Sequence, residues 1–184
     1  MGASEVELGE VFRLGEAARD RDIVRVVGDR LADLWLAVSR FQDVQAITSR
    51  SLQVQTSPKT LLLAGEAHDV TGNPSAALVY YRQALRMSRK AGDRSVEGIT
   101  LTSIGIVHGR RGDGQAALNY YEQALRIFRE VGDRAGEAAT LTDIGRVHGR
   151  RGDGQVALGY YEQALPIQRA VGDRAGEAAT LTNI

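Results

Sequence analysis

No cysteine occurs among the 184 residues, which excludes disulfides, thiolate metal centres and cysteine catalysis. Neither charge is in excess. The 23 Lys+Arg balance 23 Asp+Glu, whereas a bulk electrostatic nucleic-acid binder carries a clear basic surplus. Long apolar runs are missing too: nothing approaches the roughly 18–20 residues of a membrane span. The opening MGASEVELGE has no apolar core and so is not a secretory signal. Gly2 does not begin a myristoylation motif, because Val6 stands where Ser or Thr is needed. What remains is 43% hydrophobic and 25% charged, a globular composition. These absences predict a cytoplasmic protein that meets neither nucleic acid nor membrane.

What is present is repetition, the feature to be sought first because missing it misassigns the fold. Residues 98–137 recur as 138–177, with 31 identities in 40. Residues 58–97 match 98–137 at 19 of 40, and a fourth copy occupies 178–184. All three histidines fall in register as His68, His108 and His148. So do all six tyrosines, as Tyr80-Tyr81, Tyr120-Tyr121 and Tyr160-Tyr161.

Each copy predicts two helices. Leu141, Ile144, Gly145 and His148 share one helical face. The RRGDG that follows is a turn rich in Gly and Asp. Ala157, Tyr161, Ala164 and Leu165 mark a second face. Gly172 is placed to stop that helix in a left-handed conformation and Asp173 to cap the next. Sustained alternation is absent, and Ala, Leu, Arg, Gln and Glu dominate, so strands are not supported. A helix pair of this kind buries its apolar face only by stacking on neighbours, which predicts an all-α solenoid of antiparallel helix pairs.

Leu141, Ile144-Gly145, His148, Ala157, Tyr161 and Ala164 resemble the tetratricopeptide repeat, with Leu101, Ile104-Gly105, His108, Ala117, Tyr121 and Ala124 in the copy before. The first copy has Leu61, Ala64-Gly65, His68, Ala77, Tyr81 and Ala84. The 40-residue period resembles the extended form of kinesin-light-chain-like arrays and of many bacterial signalling proteins, in which a GDRxGEA linker lengthens the first helix. The resemblance covers residues 58–184 and implies a right-handed superhelix whose first helices line a concave groove for an extended peptide or partner helix. Mapped onto this chain, the groove positions are Lys59, Leu62, Glu66 and Asp69, then Thr102, Ser103, Ile106 and Arg110, then Thr142, Asp143, Arg146 and Arg150, and finally Asn183. Asn183 matches a groove Asn that bonds the bound peptide's backbone in such arrays; Ser103 and Asp143 replace it in the two preceding copies. The Lys/Asn carboxylate clamp of chaperone-binding relatives is absent.

Residues 1–57 hold no in-register copy and predict divergent helices that cap the array. Their stripes are Val11, Leu14 and Ala18; then Ile23, Val27, Leu31, Leu34 and Val38; then Val44, Ile47 and Val54. Trp35 is expected to pack where they meet the first repeat, and Ser57-Pro58 marks the boundary. The sequence stops inside a predicted helix, leaving Leu181 and Ile184 without partners. That ending predicts a fragment of a longer array, with an exposed end able to pair with a second copy.

Catalytic chemistry finds little support. Three histidines on successive repeats cannot meet one metal at about 2.0–2.1 Å, so they are expected to pack. GRRGDG lacks the strand and GK[ST] ending of a phosphate loop and the acidic spacing of a calcium loop; its Arg-Gly-Asp is expected to be structural. Asp and Glu are expected at caps and exposed faces. Pro166 is expected to kink or end its helix. No nucleophile–base–orienter set exists. The reading is therefore a non-catalytic interaction scaffold without cofactor or metal, part of a larger regulatory or adaptor protein. A small-ligand sensor and a self-assembly module are the alternatives. Acidic Glu66 and Asp69 against basic Arg110, Arg146 and Arg150 predict a partner segment carrying acidic residues.

Overall fold

The computed structural model describes residues 4–184, and among them the chain forms ten α-helices and no strand. The fold is all-α, of the helix-pair solenoid class. Two compact units divide it, Met1–Ala91 and Gly92–Ile184.

The first unit contains α1 (Glu5–Ala18), α2 (Arg21–Ala37), α3 (Phe41–Val54), α4 (Pro58–Val70) and α5 (Pro74–Ala91). Local chemistry sets the starts. Ser4 and Glu7 form a reciprocal capping box on α1, and Asp20 accepts from the Ile23 amide to cap α2. Ser57 accepts from the Thr60 amide while Pro58 occupies the first helical turn of α4. Leu8, Phe12, Val24, Leu31, Val44, Ile47, Leu63 and Ala67 form the core. Trp35 packs half-buried on it, donates Nε1–H to Glu5 at 2.9 Å, and carries the Arg40 guanidinium 4.9 Å above its ring. The pair α2–α3 packs as the repeats do, with α2 against α4, although its sequence does not follow their pattern.

Two of the three expected stripes are corrected here. In α1 the buried face is Leu8, Phe12 and Gly15, while Val11 and Leu14 lie exposed. In α2 it is Val24, Gly28, Asp29, Leu31 and Ala32, while Ile23, Leu34 and Val38 are exposed. Small residues select these faces. A Cβ on Gly28 would fall 2.9 Å from the Phe12 ring, and one on Gly15 would fall 2.6 Å from Ile23 Cγ2. Close helix approach therefore outweighs the count of large apolar side chains.

The second unit contains α6 (Arg94–Arg110), α7 (Gly114–Val131), α8 (Arg134–Arg150), α9 (Gly154–Val171) and α10 (Arg174–Thr182). Gly132 and Gly172 end α7 and α9 at φ 74° and 73°. Asp93, Asp133 and Asp173 then accept from amides at 3.0, 2.9 and 2.8 Å to start the following helices. Helix α9 neither ends nor breaks at Pro166 but continues to Val171, because Ile167 and Gln168 beyond it are buried.

Within each helix pair a glycine meets a tyrosine ring. Tyr81 lies on Gly65, Tyr121 on Gly105 and Tyr161 on Gly145, and all three tyrosines are buried. A Cβ would fall 2.6 Å from Tyr121 at Gly105 and 2.5 Å from Tyr161 at Gly145. Gly145→Ala, which helix propensity alone would make stabilising by about 1 kcal/mol, is expected to destabilise by about 1–3 kcal/mol through overpacking. Urea unfolding measures it; unchanged or raised stability would contradict the contact.

Candidate functional site

The charged linker between repeats is the first element that positions the site. Glu137 is 4% exposed. Its carboxylate accepts from Arg129 Nε at 2.8 Å and from Arg134. Glu177 accepts from Arg169 at 2.5 Å in the next linker, and Glu97, also buried, accepts from Arg94 at 2.6 Å. The expectation that acidic residues sit only at caps and exposed faces is therefore corrected. A buried carboxylate is tolerated because two guanidiniums neutralise it. The GDRxGE element thus stops one helix, caps the next and pins the two together.

The histidines pack, each on the first tyrosine of its pair. Ring centroids lie 5.2 Å apart for His68–Tyr80, 5.5 Å for His108–Tyr120 and 5.6 Å for His148–Tyr160. His108 and His148 also face the turn aspartates, at 3.4 Å from Asp113 and 3.3 Å from Asp153. No group of three or more metal-ligating side chains converges among the described residues.

In the first unit the four expected groove residues share α4 but not one environment. Leu62 is buried, 5% exposed, and so offers nothing to a partner; that assignment is corrected. Lys59 is exposed and holds Asp33 at 2.6 Å. Glu66 is half-buried, and burial beside Asp33 and Asp69 pushes its carboxyl up to about 7. Glu66 is accordingly only partly ionised at neutral pH, which weakens the acidic end expected from the sequence.

In the second unit α6 and α8 carry the remaining positions. Thr102 and Ser103 are half-buried, and their hydroxyls donate to the Gly98 and Ile99 carbonyls of their own helix. Ile106 leans on the core formed by Leu118, Tyr121, Leu141 and Ile144. Arg110, Arg146 and Arg150 are exposed. Arg146 pairs with Asp143, whose carboxyl burial pushes up and Arg146 and Arg150 pull back down. Thr142 is the second correction. It is buried in a polar knot in which it meets Thr180 Oγ1 at 2.9 Å and Gln168 Nε2 at 3.3 Å, because the third repeat has Gln168 where the second has Phe128. Asn183 is exposed, but its amide donates to the Ala179 carbonyl at 2.8 Å on its own helix.

Sequence reasoning missed a cavity of about 500 Å³ between the two RRGDG turns. Gly109, Arg110, Gly112, Gly114, Gln115, Val147, Arg150 and Arg151 line it. The duplicated turn was visible, but the proximity of its two copies was not.

Comparisons with known proteins agree with this architecture. Residues 96–170 match the family described as Tetratricopeptide repeat. No curated protein matches the sequence. Among solved structures, BtubC (BKLC) from P. vanneervenii superposes with a TM-score of 0.79 at 20% identity, covering 96% of this chain and 76% of that one. Aspartyl phosphate phosphatase F from Bacillus subtilis gives 0.81 at 12% identity, covering 89% of this chain and 44% of that one. A putative kinesin light chain from P. anserina with nearly identical TPR-like repeats gives 0.69 at 14%, covering 92% and 87%. At these identities the likenesses establish the fold.

Glu66 gives a pH dependence. Its folded carboxyl binds a proton more tightly than it does in the unfolded chain, for which the ordinary value is 4.5. Its contribution is therefore fully present below about 4.5 and lost as pH rises through about 7. Stability is expected to fall by about 1–3 kcal/mol from pH 5 to pH 8 on this group's account. Glu66→Gln should flatten that slope in chemical denaturation; an identical slope would contradict the assignment.

Proposed function

We propose that this chain, whose residues 96–170 match the tetratricopeptide-repeat family, is a tetratricopeptide-repeat protein that acts as a non-catalytic interaction module whose first helices bind a peptide or a helix of a partner protein. Tetratricopeptide repeats generally mediate protein–protein interaction. One observation carries the finer reading. Residues 98–110 and 138–150 are near copies that differ at four positions, the buried Gly98/Ala138 and then Ile99/Ala139, Ser103/Asp143 and Ile106/Arg146. The last three stand at i, i+4 and i+7 and so form one helical stripe, while Leu101, Ile104, Gly105, Val107 and His108 recur unchanged as Leu141, Ile144, Gly145, Val147 and His148. Ala139 and Arg146 are exposed, as is Ile99, whereas Ser103, Ile106 and Asp143 are half-buried. A stripe that diverges while its support is copied is what a surface tuned to a partner requires.

The charge of the stripe sets the partner's chemistry. Arg110, Arg146 and Arg150 supply planar guanidiniums suited to carboxylates, so the partner segment carries acidic residues. Such contacts are screened by salt, with a Debye length of about 8 Å at 0.15 M. A wider role within a bacterial regulatory or adaptor protein in the cytoplasm is part of the same proposal. Among the described residues no helix is long and apolar enough to cross a membrane.

The test is capture from lysate of the source organism, with the protein compared against an Arg110→Glu/Arg146→Glu/Arg150→Glu variant. A partner bound by the parent chain, released by raised salt and lost from the folded variant is expected. Retention by the variant moves the site off this face, and binding that ignores salt removes the acidic segment from the proposal.

A further inference from the structure

The second and third repeats end their first helices on the same residue, Arg110 and Arg150, but only the third carries an acid and a second base upstream of it. Where α6 has Ser103 and Ile106, α8 has Asp143 and Arg146. The two charges enter together and cancel, so the pair adds nothing to the net charge of the stripe. A base placed there only to attract an acidic partner would need no acid of its own three residues earlier.

Asp143 stands about one helical turn before Arg146, where side chains on a helix meet, and its Oδ1 accepts from Arg146 Nη2. The acid is the sunken member of the pair: 13% of its side chain is exposed, against 48% for Arg146. It lies deep enough to act on Tyr121 of α7 and Tyr161 of α9, two phenols that burial keeps protonated. Arg110 of α6 acts on Tyr121 as well, and α10 meets this helix through the uncharged Thr142 and Thr180. The charges that favour the Asp143 carboxylate are Arg146 and Arg150 of its own helix, and they do so unequally. Arg146 is hydrogen-bonded to it, whereas Arg150 acts only through space. Arg150 is exposed and forms no ion pair with a carboxylate among the described residues. One arginine is thus held by an internal acid while its neighbour, four residues on, is open.

We propose that Asp143 is a specificity-determining residue of the binding face: it masks Arg146, so that α8 reads a single partner carboxylate at Arg150 instead of a run of acids. This rests on the interaction function proposed above and ranks its arginines. A partner acid approaching Arg146 has to displace a carboxylate tethered one turn away. Displacement also strands Asp143 where little water reaches it, and a buried carboxylate without its partner is costly. An acid approaching Arg150 displaces nothing. Masking of this kind keeps an arginine-bearing face from holding every acidic segment it meets.

Two short peptides with blocked ends are the probes, one with Glu-Ala-Glu between glycines and the other with Glu-Ala-Gln. Residues at i and i+4 of a helix stand about 5–6 Å apart, and alternate residues of an extended segment about 6.6 Å apart, so the first peptide can reach Arg146 and Arg150 together. Affinities are read from the Nε–H resonances of both arginines during titration. Removing one negative charge helps both peptides alike, so the readout is the ratio of the two affinities. The parent chain is expected to bind the two within about twofold of each other. Asp143→Ser gives α8 the residue that α6 carries at this register and should raise the ratio about threefold or more, the gain expected when a partly exposed ion pair no longer has to be broken. Adding Arg146→Gln to Asp143→Ser should return the ratio to the parent's, and Arg150→Gln should weaken both peptides. Thermal unfolding confirms that each variant is folded. An unchanged ratio in Asp143→Ser, or a raised ratio that survives Arg146→Gln, would overturn the proposal. Saturable binding with an unchanged ratio leaves the interaction function standing and removes the mask, whereas no saturable binding by parent or variant removes the acidic-segment reading with it.

Discussion

The contact between a first-helix glycine and a second-helix tyrosine is the constraint on which the rest of the structure depends. It recurs as Gly65–Tyr81, Gly105–Tyr121 and Gly145–Tyr161. A tyrosine ring lying on bare backbone sets how near the two helices come. That nearness buries Ala117, Ala124, Ala157 and Ala164 completely or almost so, positions where only a small side chain fits. With the pair clamped on this face, the first helix turns its other side outward. The stripe Ile99, Ser103, Ile106 and its copy in α8 is the part of the helix that the clamp leaves available. The proposed binding role of this surface would thus be a consequence of packing on the opposite one.

Stacking of pairs rests on a different physics. The linkers put Glu97 and Glu137 almost out of water and Glu177 partly so, and each of these carboxylates is met by arginine. Buried ion pairs of this kind contribute little net stability against an apolar alternative, but losing one partner strands a charge and costs about 3–5 kcal/mol. The arrangement therefore acts as a geometric lock more than as glue. It also explains how a chain with 23 basic and 23 acidic residues presents arginine on one concave place. Glu137 and Glu177 are consumed internally by Arg129, Arg134 and Arg169, while Arg150 and Arg151 line a cavity that no Asp or Glu lines.

Local features were legible in the sequence. The 40-residue period, the glycine stops at positive φ, the aspartate caps and the Ser57-Pro58 start each depend on a few adjacent residues, and each is present. Faces decided by distant neighbours were not. Val11 and Leu14 look like core by size, but Gly15 and Gly28 draw the helices together on the other side of α1 and α2. Leu62 and Thr142 hold groove positions by register, yet both are buried; Gln168, standing in the place of Phe128, ties Thr142 to Thr180. The cavity was hidden for the same reason. Its two walls are 40 residues apart in sequence, and only the packing of α6 and α7 against α8 brings Gly109 under Arg150.

The claim that joins these observations is that the first helices of the second unit are the binding surface. Amide hydrogen exchange of the protein, free and bound to its captured partner, tests it most directly. Added protection should concentrate in α6, α8 and the turns at 109–114 and 149–154, with α7 and α9 unchanged. Protection concentrated instead on α7 and α9, or confined to residues 4–57, would contradict it.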